Sequence, residues 1–225
     1  MAKVHGLPGE WARVKGTVLG LWPLFTGLFI AGFAVSAILL TGCGWGWYIL
    51  AVASAAIGWS VHCGMRRVES FFIGARGEER VSNILRNLPE AYHVFNDFVA
   101  GRMHVDHVVA GPAGVFAIET KNWRGKVTIE DSCLLVDGAL PSRDPVAQAK
   151  REAAAVKGAL AKAGWHGEVT PIVVFASDTF DAGIAELSGI VVINSSEIAR
   201  GFSTGRVVIA PTELERLAGL MEMER

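Results

Sequence analysis

The pattern of apolar positions divides the chain into an uncharged N-terminal part and a charged remainder. Asp, Glu, Lys and Arg are absent from residues 16–65. Two apolar runs lie in this stretch, at 17–40 and 47–62, with a glycine-rich turn between them. About 20 consecutive apolar residues are enough to cross a bilayer as a helix. The pattern therefore predicts an N-terminal segment at 1–16 and a two-helix transmembrane hairpin over 17–65.

Aromatic and small residues support this interpretation of the two runs. Trp45, Trp47 and Trp59 stand near the ends of the second run, where tryptophan suits the membrane interface. Many glycines, alanines and serines in both runs allow close contact between helices. A cleaved signal peptide is disfavoured, because the first run is too long and a second one follows. A hairpin buried in a globular core stays an alternative.

The distribution of basic residues predicts the orientation of the hairpin. Two spans place both ends of the hairpin on the same side of the membrane. Basic residues flank the hairpin on both sides: Lys3, Arg13 and Lys15 before it, and Arg66, Arg67 and Arg76 after it. Because basic flanks stay cytoplasmic, we expect a protein of the cell inner membrane with both termini and the domain at 66–225 in the cytoplasm.

The remainder of the chain has a mixed α/β pattern. Apolar residues recur at helical spacing over Gly77–Leu88, and Pro89 ends that helix. Tyr92–Val99 alternates like a strand. Asp144 and Pro145 are a good N-cap and first residue for a helix that ends near Gly164. Further strands are predicted at 126–129, 133–136, 171–176, 190–193 and 206–209, with a short helix from Ser195 or Ser196 and a final one from Pro211.

The most informative stretch is a predicted β-hairpin. Two β-rich runs, 105–110 and 115–121, flank four turn residues. If those four form the loop, Ala110 pairs with Val115 and Asp106 lies opposite Glu119. Side chains alternate faces along a strand, so Glu119 and Lys121 share a face. Two carboxylates and an ammonium then converge on one patch.

Opposed carboxylates on a sheet repel each other, by roughly 0.2–1 kcal/mol. Their pairing makes more sense if a divalent cation or a shared proton lies between them. The alternative is a solvent-facing charged hairpin in which Lys121 neutralises one of the acids. The hairpin alone leaves both interpretations open.

Charge and cysteine content exclude several classes. Three of the 21 basic and one of the 22 acidic residues precede residue 66, so residues 66–225 carry a net charge of −3. No diffuse basic surface for nucleic acid is indicated. Cys43, Cys63 and Cys133 form no CxxC pair, which argues against a disulfide framework or a structural zinc site.

Two further polar residues are candidates for chemistry. Glu78 lies at the start of a predicted helix, where a capping role is the simpler explanation. Gln148 lies one turn into the helix that Asp144 and Pro145 begin, where a solvated side chain is the ordinary expectation. A functional role for either residue depends on other evidence.

Ordered motifs supply that evidence, because together they resemble the NERD (nuclease-related domain) family. They are Gly74-x-x-Gly77-Glu78, Val105-Asp106-His107-Val108-Val109, Gly114 to Trp123 with Ile118-Glu119-Thr120-Lys121-Asn122-Trp123 as the most specific string, and Asp144-Pro145-x-x-Gln148. The resemblance covers about residues 74–164. The sequence departs from the family pattern at Asp144, where Asn is usual, and at Ala149, where Asn often follows the Gln.

The resemblance implies a fold and a set of roles. NERD domains are similar to the PD-(D/E)xK nucleases, so we expect a restriction-endonuclease-like α/β fold with a mixed central sheet flanked by helices. Asp106 and Glu119 would bind Mg²⁺ (or Mn²⁺), with Thr120 offering its backbone carbonyl. Lys121 would be the catalytic lysine, Glu78 the helix acid, and Gln148 the polar residue that positions the lysine, water or phosphate.

The function expected from these features is metal-dependent hydrolysis of phosphodiester bonds in nucleic acid, with DNA the favoured substrate, at the membrane. A different class remains open: a non-catalytic module that uses the same fold to bind DNA or a protein partner. The net charge of 66–225 favours that module, whereas the set Asp106, Glu119 and Lys121 argues against it. A membrane-assembly protein organised by the hairpin itself is a third possibility.

Overall fold

The chain forms two compact units. The computed structural model describes residues 1–42, 44–203 and 207–223. One unit, here called the α/β unit, combines Met1–Glu10 with Gly74–Arg225, and the other, the helical unit, is Trp11–Ile73. The helical unit is therefore an insertion in the chain of the α/β unit. Lys3–His5, which lies in the segment that sequence analysis set apart at 1–16, is a strand of the α/β unit.

The helical unit contains two long apolar helices, α1 (Glu10–Thr41) and most of α2 (Trp45–Leu85). By length and composition both could cross a membrane, with mean hydropathies of 2.2 and 1.4 in their most apolar windows. Only 11% and 6% of the residues in those windows are buried. This exposure argues against the alternative of a hairpin buried in a globular core.

Helix α2 continues past the second apolar run without a break. The sequence predicted a separate helix at 77–88, whereas the structure joins it to the apolar run in one 41-residue helix. The physical reason is that no proline occurs between Trp45 and Pro89, and an isolated glycine is tolerated in a helix at a cost of about 1 kcal/mol.

Small residues allow the two helices of the helical unit to pack closely. The buried residues of α1 are Gly16, Gly20, Gly27 and Ala34. A Cβ added at Gly64 on α2 would lie 2.8 Å from the Gly20 carbonyl oxygen, and one added at Gly27 would lie 2.5 Å from Ile57 Cγ1. Close backbone approach of this kind is the usual way in which membrane helices associate.

Replacing Gly20 by leucine should disrupt the helix pair, because a Cβ there collides with the Val68 side chain. We expect a loss of about 1–3 kcal/mol, typical of overpacking, measured as a lower melting temperature of the full chain in mild detergent. Gly32→Leu is the matched control, since a Cβ at Gly32 meets nothing within 4 Å. Equal melting temperatures for the two variants would contradict the packing described here.

The α/β unit is built on a seven-stranded mixed sheet of order β1-β2-β3-β4-β7-β9-β8. Its strands are β1 (Lys3–His5), β2 (His93–Ala100), β3 (Met103–Gly111), β4 (Gly114–Lys121), β7 (Val169–Phe175), β8 (Ile184–Leu187) and β9 (Ile190–Asn194). The β1–β2, β4–β7 and β7–β9 pairs are parallel and the others antiparallel. This architecture confirms the predicted fold class.

Two short strands and several helices complete the unit. Strands β5 (Val127–Glu130) and β6 (Cys133–Val136) form a separate two-stranded sheet. The helices are α3 (Pro145–Lys162), a 3-10 turn (Ser195–Glu197), α4 (Ile198–Ser203) and α5 (Pro211–Met223). Helices α3 and α5 cover one face of the sheet, and the end of α2, with α4, covers the other.

The strand predicted at 206–209 does not form over residues 207–209, and Arg206 lies outside the described residues. The reason is local hydrogen bonding: the Val208 and Ile209 N–H groups both donate to the Pro112 carbonyl oxygen, at 2.8 and 3.2 Å. Sharing a single acceptor is incompatible with a strand ladder. The edge strands β1 and β8 were not predicted.

Strand β1 and the residue before it are tied to three other parts of the unit. Ala2 is buried, its N–H donates to the Arg86 carbonyl oxygen at 3.0 Å, and Lys3 N–H donates to the Tyr92 carbonyl oxygen at 2.9 Å. The Lys3 ammonium forms an ion pair with Glu215 on α5 at 2.9 Å. Residues at the very start of the chain therefore belong to the folded core.

The buried His93 on β2 should make the unit sensitive to acid. Burial and the neighbouring Lys3 and His5 lower the pKa of His93, while Glu215 raises it less. The unfolded chain therefore binds a proton at this histidine more readily. As pH drops below about 6.5, His93 should lower the free energy of unfolding by at most about 1.4 kcal/mol per pH unit. Chemical denaturation at several pH values checks this. His93→Gln should make the fall with pH shallower, and the slope that remains comes in part from the second buried histidine, His107, whose pKa burial also lowers. An unchanged curve in that variant would rule out His93 as the cause.

Candidate active site

Asp106 is positioned by an irregularity in the central hairpin. Ala110 pairs with Val115, as the sequence predicted, but the β3–β4 ladder ends at the pair His107–Ile118. Beyond it, the Asp106 carboxylate accepts a hydrogen bond from the Thr120 N–H at 2.8 Å. Asp97 on β2, with φ of +52°, interrupts the ladder on the other side of β3. Asp106 therefore lies where β3 stops pairing with β4 and where its pairing with β2 is interrupted.

Glu119 and Lys121 lie on the central strand β4, two residues apart and on the same face, as predicted. Pairing with β7 on one side holds this part of β4 in place, through Glu119–Val173 and Lys121–Phe175. The Lys121 ammonium donates to Glu119 Oε1. Glu119 is only 2% exposed, so this ion pair lies largely outside the reach of solvent screening.

Helix α3 brings a third polar group to the pair. Its N-terminus is fixed by Asp144, whose carboxylate accepts from the Val146 and Ala147 N–H groups. One turn later, Gln148 Oε1 accepts a hydrogen bond from the Lys121 ammonium at 3.1 Å. The departure from the family pattern at Asp144 therefore keeps the cap that orients Gln148.

Glu152 is a site residue that the sequence analysis missed. Its Oε1 accepts a hydrogen bond from Gln148 Nε2 at 2.9 Å, and the side chain is buried. The signal available in the sequence was its spacing, because residues i and i+4 share a face of a helix. A glutamate at that distance from Gln148, in an alanine-rich helix, was a detectable candidate.

Glu78 reaches the same region from α2. Its charge is among the causes that raise the pKa of Asp106, which places the two carboxylates near each other. The approach of α2 depends on Gly77, because a Cβ there would lie 2.6 Å from the Cβ of Asn122 at the end of β4. The glycine of the Gly77-Glu78 pair thus permits the acid to reach the sheet.

The acidic groups of the site destabilise one another's charged forms. Burial, and then the charges of Glu119, Glu78 and Glu152, raise the pKa of Asp106 well above its usual range, against a smaller opposing effect of the Thr120 N–H. Burial, followed by the charge of Glu119 and a hydrogen bond with it, raises the pKa of Glu152 to about 9. At this site Lys121 is thus the lysine beside four acids, namely Asp106, Glu119, Glu78 and Glu152.

These residues fit a hard divalent cation. Among the described residues, no N–H or O–H group of another side chain or of the backbone donates to the buried oxygens Glu119 Oε2 and Glu152 Oε2. The hydrogen bond between these two acids requires a proton on one of them. Carboxylate and carbonyl oxygens are the ligands that Mg²⁺ accepts. In the described ranges no group of three or more His, Cys, Asp or Glu side chains forms a ready-made metal cluster, so the fit is to two carboxylates, Asp106 and Glu119, with the Thr120 carbonyl.

Two other residues of the motifs, His107 and Trp123, have structural surroundings. His107, next to Asp106 on β3, is fully buried and its Nδ1 lies 2.8 Å from Asn96 Oδ1. Burial lowers the pKa of His107 to about 3, so it is a neutral core residue. Trp123 packs against Phe175, with ring centroids 5.5 Å apart, which supports packing at the strand end.

Comparison with known proteins gives one family match. The model of the NERD family, described as a nuclease-related domain, matches residues 73–176. The matched segment contains Glu78, Asp106, Glu119, Lys121, Gln148 and Glu152. No curated protein and no solved structure gives a significant match.

Proposed function

Because the chain carries a nuclease-related domain of the NERD family at residues 73–176, we propose that it is a membrane-anchored, metal-dependent nuclease that hydrolyses phosphodiester bonds, with DNA the favoured substrate. The observation that carries this proposal is the convergence of Asp106, Glu119 and Lys121 at one partly buried place, with Gln148 against the lysine. A pure binding module has little use for such a costly arrangement of charges.

Each group has a distinct role in the proposed reaction. Asp106 and Glu119, with the Thr120 carbonyl, would hold Mg²⁺ or Mn²⁺, which when bound lowers the pKa of water and stabilises charge on the phosphate oxygens. Lys121 would place a positive charge beside the attacking water or the phosphate. Gln148 would keep that ammonium in position, and Glu78 would orient water near Asp106.

The test is a cleavage assay on the full chain in detergent or nanodiscs. Single- and double-stranded DNA and RNA are each incubated with Mg²⁺, Mn²⁺ or a chelator. We expect metal-dependent cleavage of DNA, and its loss in Lys121→Ala. Absence of cleavage on every substrate, together with DNA binding, would favour the non-catalytic module instead.

Metal binding is measured separately from turnover. Calorimetry with Mg²⁺ or Mn²⁺ on the wild-type chain and on Asp106→Ala should give binding that depends on Asp106. Identical heats for the two proteins would remove the metal-dependent mechanism, whatever the source of any cleavage.

We further propose that the helical unit spans the cell inner membrane, with both termini and the α/β unit in the cytoplasm. Basic residues lie before the first apolar run and after the second, as cytoplasmic flanks do. Within the α/β unit, Gly9 and Ala75 are in contact, since a Cβ at Gly9 would lie 2.7 Å from Ala75 Cβ. The chain thus leaves and re-enters this unit at one place, as a hairpin requires. Protease digestion of the C-terminus in inside-out vesicles, but not in intact spheroplasts, is the expected result.

A further inference from the structure

We propose that Glu152 is a positioning residue, which orients the Gln148 amide so that its carbonyl oxygen holds the Lys121 ammonium beside Glu119. The catalytic meaning of this inference rests on the proposed nuclease function. The positioning itself rests on the contacts of four side chains and can be measured without any reaction.

The two ends of the Gln148 amide contact different partners. A glutamine side chain has two donors on its nitrogen and an acceptor on its oxygen. In the structure Nε2 donates to Glu152 Oε1 at 2.9 Å, and Oε1 accepts from the Lys121 ammonium at 3.1 Å. A flipped amide would place its NH₂ group against an ammonium, donor against donor. The acceptor supplied by Glu152 therefore determines which end of Gln148 faces Lys121.

The burial of Glu152 strengthens its control over the orientation of the Gln148 amide. Glu152 is 3% exposed, so water has little access to replace it as the acceptor for Gln148 Nε2. Its neighbours on α3, Ala149 and Ala153, are buried in the cores that hold the helix against the sheet. An unmade hydrogen bond at a buried polar group is unfavourable, which keeps the hydrogen bonds that join Glu152, Gln148 and Lys121 intact.

These hydrogen bonds matter because a lysine side chain is hard to hold in one place. Its ammonium is a point charge on a flexible four-carbon stem with many rotamers. The Lys121 ammonium is held on two sides, by Glu119 and by Gln148. Removal of the Gln148 contact leaves a lysine tied to Glu119 alone, free to move relative to a substrate phosphate.

Two substitutions at one position separate positioning from packing. Glu152→Gln keeps an oxygen that accepts from Gln148 Nε2, and it can donate to Glu119 from its own amide. Glu152→Met has similar length and fills the buried space, but it offers no strong acceptor. Gln148→Met removes the middle residue of the same series of hydrogen bonds. Arg151→Met is the matched control at an exposed position of α3.

The primary measurement is the rate at which Lys121 is acetylated by a small reagent in the full chain in detergent, read by mass spectrometry. Lys126, whose side chain is 62% exposed, is the internal reference. We expect Lys121 to react about threefold faster or more in Glu152→Met and Gln148→Met, and at the wild-type rate in Glu152→Gln and Arg151→Met. Equal rates in Glu152→Gln and Glu152→Met would overturn the proposal, as would a wild-type rate in Gln148→Met.

A second measurement tests whether the hydrogen bonds from Glu152 through Gln148 to Lys121 affect turnover. If the nuclease is active, Glu152→Met should lower kcat by about 10- to 100-fold, since small misplacements of catalytic groups have effects of this size, with little change in KM. The double variant with Gln148→Met should be no worse than Gln148→Met alone. Loss of activity in Glu152→Gln equal to that in Glu152→Met would overturn the positioning role. A wild-type chain without activity would refute the proposed function, while the acetylation rates would still decide the role of Glu152.

Discussion

Asp106→Asn should abolish cleavage and at the same time stabilise the metal-free protein. Activity should fall by at least about 100-fold, the usual scale for removing a group that stabilises transition-state charge. The free energy of unfolding should rise because burial and the charges of Glu119, Glu78 and Glu152 disfavour the ionised form of the Asp106 carboxyl. Asparagine can still accept from the Thr120 N–H through its side-chain oxygen. A gain of about 1 kcal/mol corresponds to roughly 2–4 °C in the melting temperature.

The same variant should lose the response to metal. At 100 times its Kd a ligand stabilises a folded protein by about 2.7 kcal/mol, so Mg²⁺ should raise the melting temperature of the wild-type chain and leave Asp106→Asn unchanged. Asp131→Asn is the matched control, because Asp131 is an exposed turn residue with φ of +48°, a conformation that asparagine also adopts. An Asp106→Asn protein that still cleaves, or that melts higher with Mg²⁺, is incompatible with the site described here.

The second large effect concerns the first strand. A chain in which residues 1–10 are joined to 74–225 by a short glycine-serine linker should fold cooperatively, because Gly9 and Ala75 are in contact. A fragment of residues 66–225 lacks β1 and should be less stable by about 3 kcal/mol. That figure corresponds to about three lost hydrogen bonds at roughly 1 kcal/mol each. Loss of β1 also exposes the edge of β2, which promotes aggregation.

Denaturant titration of the two proteins, with light scattering to follow aggregation, checks this expectation. Lys3→Ala in the rejoined chain is the control, since it keeps the strand and removes the ion pair with Glu215, whose partners are 45% and 66% exposed. Exposed pairs contribute at most about 1 kcal/mol, so this variant should stay close to its parent. Equal stability of the rejoined chain and the fragment would show that β1 contributes nothing.

Much of the candidate site follows from local sequence. Alternation along β4 is enough to place Glu119 and Lys121 on one face, and the register of a tight turn is enough to pair Ala110 with Val115. The Asp144-Pro145 pair is enough to begin α3 and so to set the position of Gln148. Each of these inferences depends on residues within a few positions of one another, where backbone geometry leaves little freedom.

The two edge strands of the sheet, β1 and β8, could not be predicted from local sequence in the same way. Strand β1 is three residues long and pairs with β2, about 90 residues further along the chain. Strand β8 is four residues long and pairs with β9 alone. Short edge strands carry little periodicity, and their pairing is determined by the rest of the sheet rather than by their own composition.

The sequence alone determined the two apolar spans, the mixed α/β class and the residues Asp106, Glu119, Lys121 and Gln148, because each is encoded by local periodicity, turn chemistry or an ordered motif. Only the tertiary structure decided that Glu152 completes the contact between Gln148 and Lys121, and that Gly77 lets Glu78 approach the sheet. These two features depend on where α3 and α2 dock against the sheet. Docking is determined by the packing of residues distant in sequence, which no local pattern specifies.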